Sequence, residues 1–142
     1  MITIDASVGV KWFLTGEADE DKAFSLFDRH VEGKVEIMVP ELFFYELSNT
    51  LITKTGVPEN IAVNSLKNVV EAEFKIYHAD SKDIIEVTKF AKKYNTSFYD
   101  MLYAVIAKIH KTILITADEK FIEKTKFSHV KLLSDYSAGT KI

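Results

Sequence analysis

The chain has 142 residues and a net charge of −3, because 21 Asp and Glu residues outnumber 18 Lys and Arg residues. Hydrophobic residues make up 47% of the sequence, a globular composition, and the length predicts a single domain spanning residues 1–142. The absence of cysteine excludes disulfides, thiolate metal sites and a cysteine nucleophile. A mildly acidic total does not indicate a nucleic-acid binder, but it does not exclude one, because binding depends on local charge.

Neither a targeting signal nor a membrane span is predicted. The N-terminus leads directly into a strand-like segment that contains Asp5, unlike a signal peptide. No apolar run approaches the roughly 20 residues that a membrane-spanning helix needs. We therefore expect an intracellular protein of the cytoplasm.

Strand-like and helix-like segments alternate along the chain. Short apolar segments predict strands at 2–4, 35–39, 74–78, 112–116 and 130–133. Amphipathic spacing predicts helices at 7–14, 19–31, 41–54, 59–71, 81–93, 97–107 and 118–126. Pro40 fits the first turn of the third helix, and the tail after Ser134 is expected to be loose. This alternation predicts an α/β fold, a three-layer α/β/α sandwich with a central parallel sheet of about five strands.

The predicted helices differ in how much of their surface is apolar. The helix that begins after Ser97 is the most apolar and is expected to be the most buried. In the helix at 59–71 the apolar face comprises Ile61, Ala62, Leu66, Val69 and Val70. In the helix at 81–93 it comprises Ile84, Ile85, Val87, Thr88 and Ala91.

Two aspartates follow predicted strands. Asp5 ends the first strand, and Asp118 follows the fourth in Thr116-Ala117-Asp118. In open α/β sheets ligands bind beyond the carboxyl ends of the strands, so both positions suit a functional site. The alternative is that each aspartate N-caps the next helix, as Asp often does. For Asp5 that role can pass to Ser7, a plausible cap of the helix that begins there.

Two further carboxylates lie on predicted helices. Glu46 shares a polar stripe with Asn49 and Thr50, on a helix whose opposite face is apolar. Short uncharged neighbours suit the wall of a cleft better than a solvent-facing stripe, where Lys, Arg or Glu is commoner. Asp100 has the spacing Ser97-x-x-Asp100 of a capping box, with Asp in place of Glu. That capping role is compatible with a site at the helix N-terminus.

Four carboxylates at one site repel one another, and divalent cations remove that conflict. Oxygen-only ligands predict hard ions, Mg²⁺ or Mn²⁺. Such ions can polarise a phosphate and generate a hydroxide nucleophile for phosphodiester cleavage. Zinc is not expected, because the histidines show no ligand spacing and are interpreted as structural or exposed: His30, His78, His110 and His129.

Four motifs occur in order along the chain. They are Ile4-Asp5-Ala6-Ser7, then Pro40-Glu41-Leu42 leading to Glu46 and Asn49, then Tyr99-Asp100 with Ala104, then Thr116-Ala117-Asp118 with Phe121. In this order and spacing they resemble the PIN domain family, and more narrowly the VapC-type toxin ribonucleases of prokaryotic toxin–antitoxin pairs. The resemblance covers nearly the whole chain, from Ile2 to about Leu133.

The resemblance implies a metal-dependent endoribonuclease with an acidic quartet at Asp5, Glu46, Asp100 and Asp118. Two of these, Asp5 and Asp100, would be the main metal ligands. The other two would bind a second ion, hold waters or act in proton transfer. By the same resemblance the site is supported by Ser7, Asn49 and Thr116. The family also implies an RNA substrate, a homodimer and a small antitoxin that occupies the active-site groove.

RNA binding would need local positive charge and stacking surfaces. The candidate basic rim comprises Lys11, Lys54, Lys108, Lys111 and Lys120, which are alternatively scattered solubilising lysines. The candidate stacking residues are Trp12, Phe13 and Tyr99, for which a core or dimer-interface role is the alternative.

Three other functions would place different demands on the sequence. A non-catalytic interaction module with the same fold is the main alternative, although such a module need not retain all four acids. A response-regulator receiver needs a phospho-acceptor Asp at the end of the third strand, which here reads Tyr77-His78-Ala79. A haloacid-dehalogenase phosphatase needs Asp-x-Asp, where this chain has Asp5-Ala6-Ser7. The last two are disfavoured.

Overall fold

Five short strands form one parallel sheet in the computed structural model, which describes residues 1–137 and 139. The strands are β1 (Ile2–Ile4), β2 (Ile37–Pro40), β3 (Lys75–Tyr77), β4 (Leu114–Thr116) and β5 (Val130–Leu132). Their order across the sheet is β3-β2-β1-β4-β5. The helices are α1 (Ala6–Gly9), α2 (Glu20–Val31), α3 (Leu42–Thr53), α4 (Glu59–Glu71), α5 (Ser81–Tyr94), α6 (Phe98–Ile109) and α7 (Glu119–Thr125), with 3₁₀ turns at Val10–Trp12 and Leu133–Asp135. The predicted three-layer α/β/α sandwich is confirmed.

Strand β1 lies at the centre of the sheet and is fully buried. Thr3 is in register with Met38 of β2 on one side and with Leu114 of β4 on the other. Because all five strands are parallel, their carboxyl ends meet at one edge of the sheet. Asp5 follows β1 at that edge, and Asp118 follows the neighbouring β4.

Helix α6 is the most buried helix, as its composition predicts. Every residue from Met101 to Ala107 is buried, and the helix contacts β1, β2 and β4. Its N-terminus carries Asp100 in the first turn. Because α6 is packed within the core, it holds the Asp100 carboxylate in a fixed position.

Helices α4 and α5 bury less of their apolar faces than predicted. Only Val69 is buried in α4, and only Val87 and Ala91 are buried in α5. The prediction is wrong because these helices pack mainly on other helices, α4 on α3 and α5 on α6, so a narrow stripe of each suffices. Several predicted core residues are instead exposed: Ile61 at 47%, Val70 at 56%, Ile84 at 47% and Ile85 at 68%, with Thr88 also exposed.

Pro40 ends β2 rather than beginning a helix, since it pairs with Tyr77 of β3. Strand β2 begins at Ile37, two residues later than predicted. Val35 lies instead in the turn after α2, because it donates its N–H to the carbonyl of Arg29. The prediction of a loose tail after Ser134 is wrong for Tyr136, which is 4% exposed and bonded to Arg29. Asp135 belongs to the 3₁₀ turn Leu133–Asp135, and Ala138 and residues 140–142 lie outside the described residues.

Helix α1 approaches α3 closely at Gly9. A Cβ atom on Gly9 would lie 2.7 Å from Cζ of Phe43 and 2.9 Å from Cδ2 of Leu47. Glycine is therefore needed here for space. Among the described residues, no helix is long and apolar enough to cross a membrane.

Candidate active site

Asp5 is 9% exposed and lies between two hydroxyl groups. Ser7 Oγ donates to Oδ1 of Asp5, and Thr116 Oγ1 donates to Oδ2. Asp5 occupies the N-cap position of α1, but its side chain makes no capping hydrogen bond. The prediction that Ser7 caps this helix is wrong, because Ser7 lies inside α1 and its hydroxyl is turned to Asp5 instead.

The same two hydroxyls connect the ends of β1 and β4. Ser7 Oγ accepts the N–H of Ala117 at 2.9 Å, and Thr116 Oγ1 accepts the N–H of Asp118 at 3.0 Å. Each hydroxyl thus accepts one backbone hydrogen bond and donates its proton to Asp5. The arrangement orients the Asp5 carboxylate and holds the chain before Asp118 against it.

The electrostatics of Asp5 oppose its ionised form. Burial raises the pKa of Asp5 to about 6, and repulsion from Asp100 adds to the rise. The hydrogen bonds from Ser7 and Thr116 lower the pKa and offset part of the effect. A carboxylate kept in such surroundings is characteristic of a functional site.

Asp118 caps α7 and also lies beside the other acids. Its Oδ1 accepts the N–H of Phe121 at 3.1 Å, so the capping role considered for this residue is present. That bond occupies one carboxylate oxygen. Asp118 and Asp100 line the same cleft, and the charge of Asp118 raises the pKa of Asp100.

Asp100 lies in the first turn of α6, where Ser97 Oγ accepts its N–H at 3.0 Å. This is one half of the predicted capping box; the reciprocal bond, from the Ser97 N–H to the Asp100 carboxylate, is not formed among the described residues. Burial of the carboxyl group is the main cause of its raised pKa, and Lys124 lowers it. Asp100 combines a position at the helix start with proximity to Asp5 and Asp118.

Glu46 on α3 is half-buried and is held by Tyr103. The Tyr103 hydroxyl donates to Oε1 of Glu46 at 2.7 Å, and Tyr103 itself is only 1% exposed. Burial raises the pKa of Glu46, Asp100 raises it further, and the Tyr103 bond lowers it. Burial and the neighbouring acids, Glu46 first among them, raise the pKa of Tyr103.

Sequence reasoning missed Tyr103. The signal was available, because Tyr103 follows Asp100 by three residues and so shares its face of α6. A tyrosine within an otherwise apolar helix needs a partner for its hydroxyl. Asn49, by contrast, is exposed one turn beyond Glu46, and none of the described hydrogen bonds joins its side chain to the acids.

The predicted basic rim is mostly wrong. Lys11 is 9% exposed and donates to the carbonyl of Ala18 at 2.8 Å, so it is structural. Only Lys120 lines the cleft with Asp100 and Asp118, where it is joined by Lys124, which had not been predicted. Lys108, at the C-terminal end of α6, and Lys111, before β4, lie toward the opposite edge of the sheet, and Lys54 directly follows α3.

The aromatic candidates divide between core and surface. Trp12 packs with Phe27, Phe43 and Phe74 and donates its indole N–H to a backbone carbonyl, which agrees with a core role. Tyr99 is 58% exposed beside Asp100 and remains available for stacking.

Two histidines are structural. The His30 ring nitrogens bond backbone groups, including the carbonyl of Ala72 at 2.8 Å. His129 Nε2 bonds the carbonyl of Ala104 at 2.9 Å. His78 is exposed and pairs with Glu41, and His110 packs on Tyr77. These surroundings agree with the interpretation of the histidines as structural or exposed.

The four acids suit a hard cation but do not form a closed cage. Within the described part of the chain, no three Asp, Glu or His side chains converge closely enough to hold an ion by themselves. Mg²⁺ typically binds one or two carboxylates and completes its shell with water and substrate oxygens. The negative charges of these carboxylates raise the pKa values of their neighbours, and a bound cation would relieve that repulsion.

A family model described as the PIN domain matches residues 2–127. This chain belongs to the PIN domain family. The acids that follow β1 and β4 and begin α6 thus lie within the matched part of a PIN domain. A relative of this PIN domain is a protein named exonuclease VapC9 from Pyrobaculum aerophilum. It is 28% identical over 103 residues, which cover 70% of this chain and 75% of the relative.

Solved structures share the fold of this PIN domain. PAE2754 from Pyrobaculum aerophilum has a TM-score of 0.70 at 22% identity, covering 94% of this chain and 90% of its own. A toxin–antitoxin complex from Klebsiella pneumoniae has a TM-score of 0.69 at 15% identity, covering 94% and 98%. VapC20 from Mycobacterium tuberculosis, described as a toxin that cleaves the sarcin–ricin loop, has a TM-score of 0.69 at 15% identity, covering 88% and 95%.

Proposed function

We propose that this PIN domain is a divalent-metal-dependent endoribonuclease and the toxin of a type II toxin–antitoxin pair. The observation that carries the proposal is Asp5, a buried carboxylate with two hydroxyl donors and a pKa raised to about 6 beside Asp100. Such a group is costly to maintain, because burial disfavours its charge. A cation at the site would offset that cost.

Mg²⁺ or Mn²⁺ is the proposed cofactor, with Asp5 and Asp100 as its main ligands. When bound, the ion would polarise the scissile phosphate and lower the pKa of an attacking water. Glu46, whose carboxylate accepts the hydrogen bond from Tyr103, would hold that water or accept its proton. Asp118 has one oxygen beyond its capping bond for a second ion or a water. Ser7 and Thr116 orient Asp5.

The decisive experiment uses RNA in linear and circular form. Wild-type protein is expected to cleave both with Mg²⁺ or Mn²⁺ and neither with chelator, whereas an exonuclease would leave the circle intact. That distinction is needed because the relative VapC9 is named an exonuclease. Asp5→Asn is expected to abolish cleavage, and Asp28→Asn, an exposed acid on α2, serves as the control. Undiminished cleavage by Asp5→Asn would refute the assignment.

A non-catalytic interaction module is the second candidate. It is favoured by the lack of three converging metal ligands among residues 1–137 and 139. Calorimetric titration with Mn²⁺ separates the two functions. Binding that is lost in Asp5→Asn supports the nuclease, and the absence of binding by wild type at millimolar metal supports the module.

The proposed partners are RNA, a second copy of the chain and a small antitoxin. A dimer would cover apolar residues that are exposed on α4 and α5, including Ile61 and Ile85. The antitoxin is proposed from the shared fold of the Klebsiella pneumoniae toxin–antitoxin complex. Light scattering tests the dimer, and a short upstream open reading frame for a DNA-binding protein would support the pair.

A further inference from the structure

A cleft of about 200 Å³ lies on the α7 side of the acids. Asp100 and Asp118 form part of its lining, and Lys120 and Lys124 bring two ammonium groups to the same space. We name the two lysines and the space between them and the acids the lysine cleft. It lies beyond the carboxyl end of β4, so it continues the site toward the β5 side of the sheet.

The charges of the lysine cleft are close but unpaired. Among the ion pairs of residues 1–137 and 139, none joins Lys120 or Lys124 to a carboxylate within 4.0 Å. Lys124 Nζ donates to the carbonyl of Asn95 at 2.9 Å, which anchors one ammonium at the cleft and leaves further N–H groups to donate.

The balance of charge indicates what this space can bind. Two lysines offset two aspartates, so the cleft is close to neutral as it stands. A divalent cation at the carboxylates would leave the ammonium groups in excess, and the cleft would then attract an anion. A phosphate adjoining the metal site satisfies this requirement, because lysine binds phosphate as a compact positive charge.

We propose that the lysine cleft binds a backbone phosphate of the RNA next to the phosphate that is cleaved. This inference rests on the proposed ribonuclease function. It adds the path of the RNA strand, which crosses the α7 side of the site. Lys120 and Lys124 contribute affinity without reading the base sequence, since phosphate contacts carry no sequence information.

The test is RNA binding without cleavage, measured by fluorescence anisotropy with a labelled single-stranded RNA and the wild-type protein in Ca²⁺, a hard ion that takes oxygen ligands in place of Mg²⁺. Lys120→Ala and Lys124→Ala are each expected to weaken binding by roughly 3- to 10-fold. Each should also reduce the slope of log Kd against log salt by about 0.7, the value for one phosphate contact on a single strand. Lys67→Ala, an exposed lysine on α4, is the matched control and should change neither quantity.

Arginine replacements separate charge from structure. Lys120→Arg should restore the salt slope, and Lys120 is the cleaner probe because Lys124 also makes the bond to Asn95. Unchanged affinity and slope in both alanine variants would overturn the inference while leaving the ribonuclease proposal intact. If the alanine variants lose as much affinity for a polyglutamate peptide as for RNA, the inference is overturned in favour of an acidic protein segment as the ligand. Failure of the wild-type protein with Ca²⁺ to bind RNA would instead refute the proposed function, and with it this inference.

Discussion

Tyr103 reaches Glu46 from inside the core, where its hydroxyl donates a 2.7 Å hydrogen bond to Oε1 while the residue is 1% exposed. Tyr103→Phe removes only this donor. Because the bond lowers the pKa of Glu46, its loss should raise that pKa and move the acidic limb of the pH–rate profile upward. Loss of a hydrogen bond to a charged group should also cost about 1.5–3 kcal/mol of stability.

The measurement is kcat across pH, with carboxyl carbon NMR of Glu46 in the metal-free protein. Tyr99→Phe, which removes an exposed hydroxyl from the same helix, is the control. A pH–rate profile that coincides with wild type would show that Tyr103 does not act through Glu46.

Asp5 should make the metal-free protein less stable as pH rises. Its pKa is about 6 in the folded chain against an ordinary value of 3.8, so between about pH 4 and 6 the native state binds a proton that the unfolded state has released. The free energy of unfolding should therefore fall across that window, by about 2–3 kcal/mol in total. Asp5→Asn should be more stable than wild type above pH 6, although inactive. Denaturant unfolding in chelator at several pH values tests this, and a destabilised Asp5→Asn at neutral pH would contradict it.

Metal binding should depend on pH for the same reason. At about pH 5 most Asp5 carboxyls are protonated, and at about pH 7.5 they are ionised and able to ligate. Adding Mg²⁺ should raise Tm more at the higher pH, because ligands that bind only the native state stabilise it by mass action. Thermal unfolding with and without Mg²⁺ measures the difference. Equal increments at both pH values, or an increment retained in Asp5→Asn, would exclude Asp5 as a ligand.

Gly9→Ala should destabilise the fold despite the better helix propensity of alanine. The new Cβ would lie 2.7 Å from Cζ of Phe43, which forces α1 away from α3. Overpacking of this kind typically costs about 1–3 kcal/mol. A second substitution, Phe43→Leu, removes the nearest of the atoms that the Cβ would strike, so the double variant should lose less stability than the two single losses together. Additive losses in denaturant unfolding would show that the contact is not the cause.

The sequence predicted the parts of the fold that depend on local pattern. The position of Asp5 after β1 and the burial of α6 follow from apolar runs that end in a polar residue. The exposure of Ile84 and Ile85 did not follow, because amphipathic spacing shows that a helix has an apolar face but not how much of it a neighbour covers. For the same reason, the prediction overestimated how much of the apolar face of α4 is buried.

The site shows a similar division. Residue type and position after a strand were enough to indicate the carboxylates, because a single residue is enough to supply a carboxylate. The bond between Ser7 and Ala117 and the bond between Tyr103 and Glu46 join elements that are distant in sequence, so local rules assigned Ser7 to a cap and passed over Tyr103. Lysine positions were hardest, because the direction of a helix decides whether its C-terminal lysines face the site or the opposite edge.

Thr116 donates to Asp5 across 111 positions of the chain. During synthesis, Asp5, Glu46 and Asp100 emerge before β4, and a nascent chain that stops short of residue 114 contains all three without the strand that orients Asp5. Domains fold largely as units as the chain leaves the ribosome. The Asp5 carboxylate therefore acquires its second donor only after β4 has been made, which delays assembly of the centre until Thr116 has left the ribosome.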